Sequence, residues 1–212
     1  MDVIGWLSLG VLAALIVGAQ VWSHFDDRRR ARRIRAWAAS NGLVEIPCAA
    51  AGTEFGTTLR RATALPAFQT VDTDRQIQVI PLRTRIKWGY LWALSVTPYD
   101  GAPVFAVRWL DSGLWRRFGR PPKTWVRATI DDPAFARYFW ADLPRDGVVE
   151  DALPAAARRI LIAAQRHLFS WVVRADGIAV LMVRESYGRP PAEWLAPGLA
   201  ALRALVAPQA LG

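Results

Sequence analysis

The first long apolar stretch of the chain is uninterrupted by charge. Residues 3–22 read VIGWLSLGVLAALIVGAQVW and contain no acidic or basic side chain. As an α-helix rising about 1.5 Å per residue, the stretch is about 30 Å long, which matches the hydrocarbon core of a bilayer. Trp6 and Trp22 lie near its two ends, where indole rings favour the headgroup boundary. The pattern predicts a transmembrane helix over residues 1–24.

A cleavable signal peptide is the alternative for this segment. Signal peptides begin with positive charge, have an apolar stretch of about 7–15 residues and end at a small-residue cleavage site. Here Asp2 is the only charged side chain before the apolar stretch, and the stretch is longer than that of a signal peptide. An arginine cluster follows it within residues 28–35. We therefore predict a membrane anchor.

The arginine cluster predicts a topology and a lipid contact. Residues 25–42 are rich in arginine and alanine, lack proline and end at Asn41-Gly42, which predicts a basic juxtamembrane helix continuous with the span. Because arginine is retained on the cytoplasmic side, we expect a protein of the inner cell membrane with its N-terminus outside and its C-terminal domain in the cytoplasm. Arginines this near the bilayer also attract anionic lipid. The predicted lipid contacts are Arg28, Arg29, Arg30, Arg32, Arg33 and Arg35.

Small residues recur along one face of the predicted span. Gly10, Ala14 and Gly18 are four residues apart, a spacing that lets two helix backbones approach closely in lipid. The pattern favours a homodimer through the span, while the simpler explanation is that small residues are common in membrane helices.

The rest of the chain, residues 43–212, is long enough for one domain with a full core. Residues 43–46 suggest a short first strand. Runs rich in β-branched and aromatic residues predict further strands at 76–82, 90–97, 103–110 and 124–130, which suggests an antiparallel meander. Two later apolar runs flank Asp176-Gly177, a strong hairpin signal. Because both runs are apolar on both faces, we expect this hairpin to be central or covered by helices.

Helix-start signals complete the prediction. Asp132 before Pro133 predicts a short helix over residues 133–140. A second helix is expected over residues 155–169, with Arg158 away from most of its apolar face, and a third between Pro191 and Pro208. The predicted fold class is α+β: an N-terminal transmembrane helix, then an antiparallel sheet (meander plus C-terminal hairpin) packed by two to four helices.

The net charge of +9 is local. Beyond the juxtamembrane helix it is concentrated in two segments without acids, residues 83–90 and 115–123. Both combine basic side chains with aromatic rings, which suits an anionic bilayer surface or single-stranded nucleic acid. Since a tethered domain meets the bilayer at high effective concentration, lipid is the preferred partner over nucleic acid; two ordinary solvated loops are the alternative. The predicted lipid contacts are Arg83, Arg85, Lys87, Trp88, Trp115, Arg116 and Arg117.

Candidate catalytic and metal-binding groups are few. The chain has one cysteine and two histidines, which form no cluster at zinc-ligand spacing, and no phosphate-binding or nucleophile motif. Two acidic pairs are compatible with a divalent cation, but a polar turn and a helix cap explain them as well. No catalytic residue, cofactor or metal is predicted. The groups considered are Cys48, His24, His167, Asp72 with Asp74, and Asp131 with Asp132.

The order of these elements resembles a group of bacterial single-pass membrane-anchored proteins with a cytoplasmic α+β domain and no established activity. The resemblance lies in IRAWAASNGL after the arginines and in TIDDPAFARYF followed by helix, hairpin and helix. It covers most of the chain and is architectural, so it implies a fold and an anchor but no site residues.

Three functions from different classes remain open at this stage. The first is a non-enzymatic domain that acts through protein or lipid contacts at the inner leaflet, with an unknown protein partner. The second is a membrane-tethered enzyme whose site comes from scattered residues. The third is nucleic-acid binding through the basic loops, which would be sensitive to salt.

Overall fold

The computed structural model describes residues 3–46, 51–52, 58–59, 65–70, 75–86, 89–99, 103–109, 122–174 and 177–207. Its helices are α1 (Val3–Ser40), α2 (Pro133–Ala136), α3 (Val149–Ala152), α4 (Ala155–Ala164) and α5 (Pro191–Val206). Its strands are β1 (Leu43–Ile46), β2 (Ala51–Gly52), β3 (Thr58–Leu59), β4 (Ala67–Thr70), β5 (Gln76–Ile86), β6 (Gly89–Thr97), β7 (Phe105–Trp109), β8 (Trp125–Arg127), β9 (Phe139–Pro144), β10 (Leu168–Val173) and β11 (Ala179–Arg184).

Nine strands form one antiparallel sheet in the order β1-β4-β5-β6-β11-β10-β7-β9-β8, and β2 pairs with β3 separately. The predicted α+β class is confirmed. The C-terminal hairpin β10–β11 lies between β6 and β7, so the middle strands do not run as one uninterrupted meander. Every residue of the two hairpin strands is buried except Arg184, as expected for runs that are apolar on both faces.

One predicted helix is partly wrong. The helix that Asp132 opens ends at Ala136, and Phe139 begins β9, a strand that the sequence reading missed. The start signal itself is confirmed, because the Asp132 carboxylate accepts a hydrogen bond from the Phe135 N–H at 3.0 Å. Phe139 and Leu143 have the alternation of a strand and turn the same way into the core.

Both faces of the sheet contribute to a hydrophobic core. The larger cluster lies under the helices and includes Trp92, Trp171 and Trp194, each no more than 2% exposed. The smaller cluster includes Leu91 and Phe169, on the other face. None of the described helices contributes a residue to this second cluster. The sheet is therefore buried on both sides around its central strands.

Helix α1 has two halves with different surroundings. All described side chains of residues 9–22 are exposed, and the exposed fraction reaches 65% at Leu15 and 75% at Trp22. Further on, Ile34 and Ala38 are at most 1% exposed and belong to the larger core cluster. By length and composition α1 is able to cross a membrane, and none of its apolar window is buried by the described part of the domain.

The predicted end of α1 is confirmed. The Ser40 hydroxyl and the Asn41 side-chain amide each donate to the Trp37 carbonyl oxygen at 2.8 Å, which satisfies an acceptor of the last turn. Gly42 follows with φ 70°, a conformation that favours glycine. The chain thus reverses directly from α1 into β1.

Candidate functional site

A charged residue joins α1 to the sheet. Reading α1 from Leu9, Arg30 is the first buried side chain, and its Nη2 donates to Oδ2 of Asp26 at 2.8 Å. Its Nε lies 3.3 Å from Oε1 of Glu185, just beyond β11. The guanidinium also lies over the rings of Tyr90 and Tyr187, at 5.4 and 5.1 Å from their centroids. We call these five residues the junction cluster.

Glu185 is the acidic centre of the junction cluster. Its side chain is only 4% exposed, and its Oε2 accepts a hydrogen bond from the Tyr90 backbone N–H at 2.9 Å. Burial raises the pKa of this carboxyl, while the Arg30 charge, the Tyr90 N–H and the Trp92 indole oppose the rise. The Glu185 N–H donates in turn to the Tyr90 carbonyl at 3.0 Å. Backbone and side-chain contacts together fix this part of β6 against α1.

The described contacts show where α1 meets the sheet. Tyr90 lies near the start of β6, and its hydroxyl is 3.5 Å from Oδ1 of Asp27. With Arg30 over the same ring, this end of β6 lies beside residues 27–30 of α1. The last residues of β5 and the first residues of β6 therefore lie at the end of the sheet that α1 reaches first.

The strand register gives the direction of α1 along the sheet. After α1 ends, Leu43 pairs with Thr70, whose hydroxyl accepts from the N–H of Ile77 at 3.1 Å. Ile77 pairs with Val96, near the far end of β6. The second half of α1 thus runs in the same sense as β6. The lengths agree, because the 13 residue steps of α1 from Asp27 to Ser40 and the six steps of β6 from Tyr90 to Val96 each span about 20 Å.

Helix α5 also runs in the same direction as β6. The Trp194 and Trp92 rings are 5.7 Å apart, and at the other end the Tyr99 hydroxyl lies 3.4 Å from the Leu205 carbonyl oxygen. Residues 184–191, which lead into α5, therefore lie at the same end as the junction cluster. We call this end the junction end and the end at Tyr99 the distal end.

The predicted lipid-contacting arginines of α1 separate into groups. Arg28, Arg29 and Arg32 are exposed, and Arg33 is half-buried. Arg35 is exposed and donates twice to Glu45, at 2.8 and 3.1 Å. Arg30 differs from all of them, because it is buried in the junction cluster. Lipid contact by the exposed arginines stays a prediction.

The two basic segments are described only in part. Arg83 and Arg85 lie on β5, where the register with β6 shifts between Pro81 and Arg85. This brings the backbone of residues 83–86 to the junction end, whereas nothing is described of their side chains. The remaining predicted contacts lie outside the described residues: Lys87, Trp88, Trp115, Arg116 and Arg117.

The small residues proposed for helix association are all exposed. Gly10, Ala14 and Gly18 lie on α1, and a Cβ built on either glycine would meet no atom within 4 Å. Association of two chains through this face stays a prediction.

The other candidate groups have structural surroundings or lie outside the described part of the chain. Asp132 caps α2 and also lies 3.2 Å from Nε of Arg158. Arg158 is buried, contrary to prediction, and donates to the Leu153 carbonyl at 3.0 Å.

The His167 pKa is lowered by burial and by the charges of Arg166 and Arg184. Among the described residues no group of three His, Cys, Asp or Glu side chains could hold a metal. Cys48, Asp72 and Asp74 lie outside those residues.

A second cluster of charged side chains, around the buried Asp142, was also not predicted from the sequence. Asp142 on β9 is 3.9 Å from both Arg108 and Arg127. Burial raises its pKa, and the two arginines oppose the rise. The Arg127 guanidinium, itself exposed, lies 4.1 Å from the ring centroid of Trp140. At these distances the group links β7, β8 and β9.

Sequence reasoning missed the junction cluster because its members are far apart along the chain. One signal was present: Arg30, Ile34 and Trp37 follow the i, i+4, i+7 spacing of a buried helix face. A second was Glu185, a single acid directly after an apolar strand. Neither pattern shows that Arg30 and Glu185 contact each other in the folded domain.

Comparison with known proteins gives little beyond this geometry. No protein-family model and no curated protein matches the chain. Among solved structures, it is similar to the mycobacterial trehalose monomycolate transport factor A, TtfA. The identity is 12%, the alignment covers 82% of this chain and 90% of that one, and the TM-score is 0.44. A likeness at this level assigns no function to the chain.

Proposed function

We propose that the chain is a single-pass membrane protein of the inner cell membrane, whose α+β domain is carried on the cytoplasmic face and acts through protein or lipid contacts. One observation carries this proposal. In α1 an exposed apolar half continues without a break into a half that is packed into the domain.

The exposure of the first half is the main support for an anchor. Leu12, Leu15, Ile16 and Val17 are each more than half exposed, although they point in different directions around the helix. A helix that is apolar on all sides belongs in a protein core or in a membrane. The domain core does not cover this one, so a bilayer is the environment that would bury it.

The orientation rests on charge. Arg28, Arg29 and Arg32 are exposed just beyond the apolar half, and arginine-rich flanks are retained in the cytoplasm. The same arginines lie within reach of anionic headgroups. Contact between the domain and lipid or a protein partner at the inner leaflet would follow from this placement.

The anchor is tested with Leu15→Arg and its matched control Leu15→Ala. Arginine at the centre of a span costs about 2.5–3.5 kcal/mol on insertion scales, so we expect Leu15→Arg to leave the membrane fraction after alkaline extraction. Leu15→Ala should remain, and both variants should unfold at the same temperature, since Leu15 makes no core contact. Extraction of the natural chain itself would refute the anchor.

The orientation is tested separately by fusing reporters after Gly212. A reporter that works only in the cytoplasm should be active, and one that works only outside should not. The reverse result would refute the orientation and leave the anchor intact.

A further inference from the structure

We propose that the junction end of the domain is a docking surface for anionic phospholipid headgroups, formed by Tyr187 and Arg189 together with Arg28 and Arg29 of α1. This inference rests on the proposed function, because it requires α1 to lie in the bilayer. It adds a defined surface, a defined ligand and a fixed orientation of the domain.

The length of α1 places this end next to the bilayer. Asp27 and Arg30 lie five and eight residues beyond Trp22, or about 7.5 and 12 Å along the helix axis. The headgroup region of one leaflet is about 5–8 Å thick, half the difference between a bilayer of about 40–45 Å and a core of about 30 Å. Arg30 and the Tyr187 ring over it thus lie within one Debye length, about 8 Å, of the headgroups.

Tyr187 is exposed and yet fixed in place. The residue is 51% exposed, while its ring centroid lies 5.1 Å from the buried Arg30 guanidinium. Tyrosine combines an apolar ring with a polar tip, which suits the boundary between headgroups and water. An aromatic ring held at this height on α1 lies near the outer edge of the headgroup region and within reach of its charge.

The exposed charge at this end is mainly positive. Arg28 and Arg29 are exposed on α1, and the Arg189 side chain is 69% exposed at the turn before α5. Of the described acids around this turn and the adjoining part of α1, Asp26 and Asp27 are half-buried, and only Glu193 is exposed, with its side chain 3.5 Å from Arg189. Glu185 is buried and Asp26 is paired with Arg30. Each basic residue near an anionic surface adds to the attraction between the domain and the lipid.

The junction cluster keeps this end directed at the bilayer. Arg30 holds α1 to Glu185 and lies over both tyrosine rings, and Ile34 and Trp37 continue the contact into the core. No turn or linker separates these residues from the apolar half of α1. The domain therefore cannot rotate freely about its anchor.

The orientation is tested with two fluorescent labels on one helix. Ala192 and Ala204 are both exposed on α5, near its junction end and its distal end, and lie about 18 Å apart along the helix. Ala192→Cys and Ala204→Cys are made in a full-length Cys48→Ser background, labelled and reconstituted into vesicles containing phosphatidylglycerol and a headgroup-attached quencher. We expect the label at 192 to be quenched several-fold more than the label at 204. Equal quenching would overturn the proposed orientation.

The ligand is tested by comparing energy transfer from the label at 192 to fluorescent phosphatidylglycerol and to fluorescent phosphatidylcholine. We expect preferential transfer to the anionic lipid, and the preference should fall when Arg28, Arg29 and Arg189 are all changed to Gln. The control Arg203→Gln removes an exposed arginine at the distal end and should leave it unchanged. No preference in the natural chain, or an equal loss in the control, would overturn the anionic-headgroup proposal.

Flotation of the vesicles distinguishes a failure of the membrane anchor from a failure of the docking surface. If the chain fails to float with them, the anchor itself is wrong. If the chain floats and the labels at 192 and 204 are quenched equally, the proposed function stands and only the docking surface is refuted. Unchanged unfolding temperatures ensure that the variants report on lipid contact.

Discussion

Gly198 of α5 lies directly against Val183 of β11. A Cβ placed on Gly198 would stand 2.5 Å from Cγ2 of Val183, closer than two such carbon atoms can approach. Valine has a stiff, branched side chain, so it cannot turn away from an added methyl group. This glycine sets how closely α5 packs on the centre of the sheet.

We predict that Gly198→Ala lowers the free energy of unfolding. Alanine in a helix is ordinarily favoured over glycine by about 1 kcal/mol. Overpacking costs about 1–3 kcal/mol, so a net loss of about 1 kcal/mol is expected. In a Val183→Ala background the clash is gone, and Gly198→Ala should instead stabilise. Denaturant unfolding of the double-mutant cycle measures this reversal of sign; the same effect in both backgrounds would contradict the close contact.

Glu185 gives a pH dependence with a defined sign. Its folded-state pKa is raised by burial, so between the ordinary glutamate value and the raised one the folded chain binds more protons than the unfolded chain. The free energy of unfolding should therefore fall as pH rises through that window. In Glu185→Gln, which keeps an oxygen for the Tyr90 N–H, the fall should be shallower. Asp142 has a raised pKa and contributes in the same direction, so Asp142→Asn is the parallel comparison. A slope unaffected by Glu185→Gln would refute this assignment.

Asp132 combines a helix cap with an ion pair, and two substitutions separate them. Asp132→Asn keeps an acceptor for the Phe135 N–H and removes the charge beside Arg158, whereas Asp132→Ala removes both. Loss of a cap costs about 1 kcal/mol, so the alanine variant should be the less stable by about that amount. Thermal or denaturant unfolding provides the measurement. Equal stability of the two variants would mean that the cap contributes nothing.

The continuity of α1 is tested by inserting a flexible Gly/Ser linker of six residues between Ser23 and His24. The insertion lies before the first buried residue, Arg30, so the folded domain and its unfolding temperature should be unchanged. Because such linkers behave as random coil, the difference in quenching between labels at 192 and 204 should shrink while the chain stays in the membrane fraction. An undiminished difference would show that α1 does not set the orientation.

Local patterns predicted much of the fold. The Asn41-Gly42 stop, the cap at Asp132 and the buried hairpin around Gly177 each depend on residues close together in the sequence, and each is confirmed. The α+β class followed from counting such elements.

Predictions that needed distant partners were less successful. The helix predicted over residues 133–140 extends into the first two residues of β9, because the start signal at Asp132 is strong and the alternation after Phe139 is short. The place of β11 beside β6 depends on pairing that no local pattern encodes. Arg30 was grouped with its neighbours because they share its charge, and only the sheet brings Glu185 to it. In each case tertiary contacts outweigh the local signal.

The position of β11 also bears on the order in which the protein is completed during synthesis. β6 is made early, yet one of its two neighbours is β11, which leaves the ribosome only after most of the chain. Contacts between distant segments close slowly, because the intervening chain must first be ordered. If α1 is the membrane anchor, as proposed, and inserts when it leaves the ribosome, the centre of the sheet is assembled on a chain already attached to the membrane. The ion pair between Arg30 and Glu185 then forms only after β11 has been made, so the last third of the chain sets the angle between the domain and its anchor.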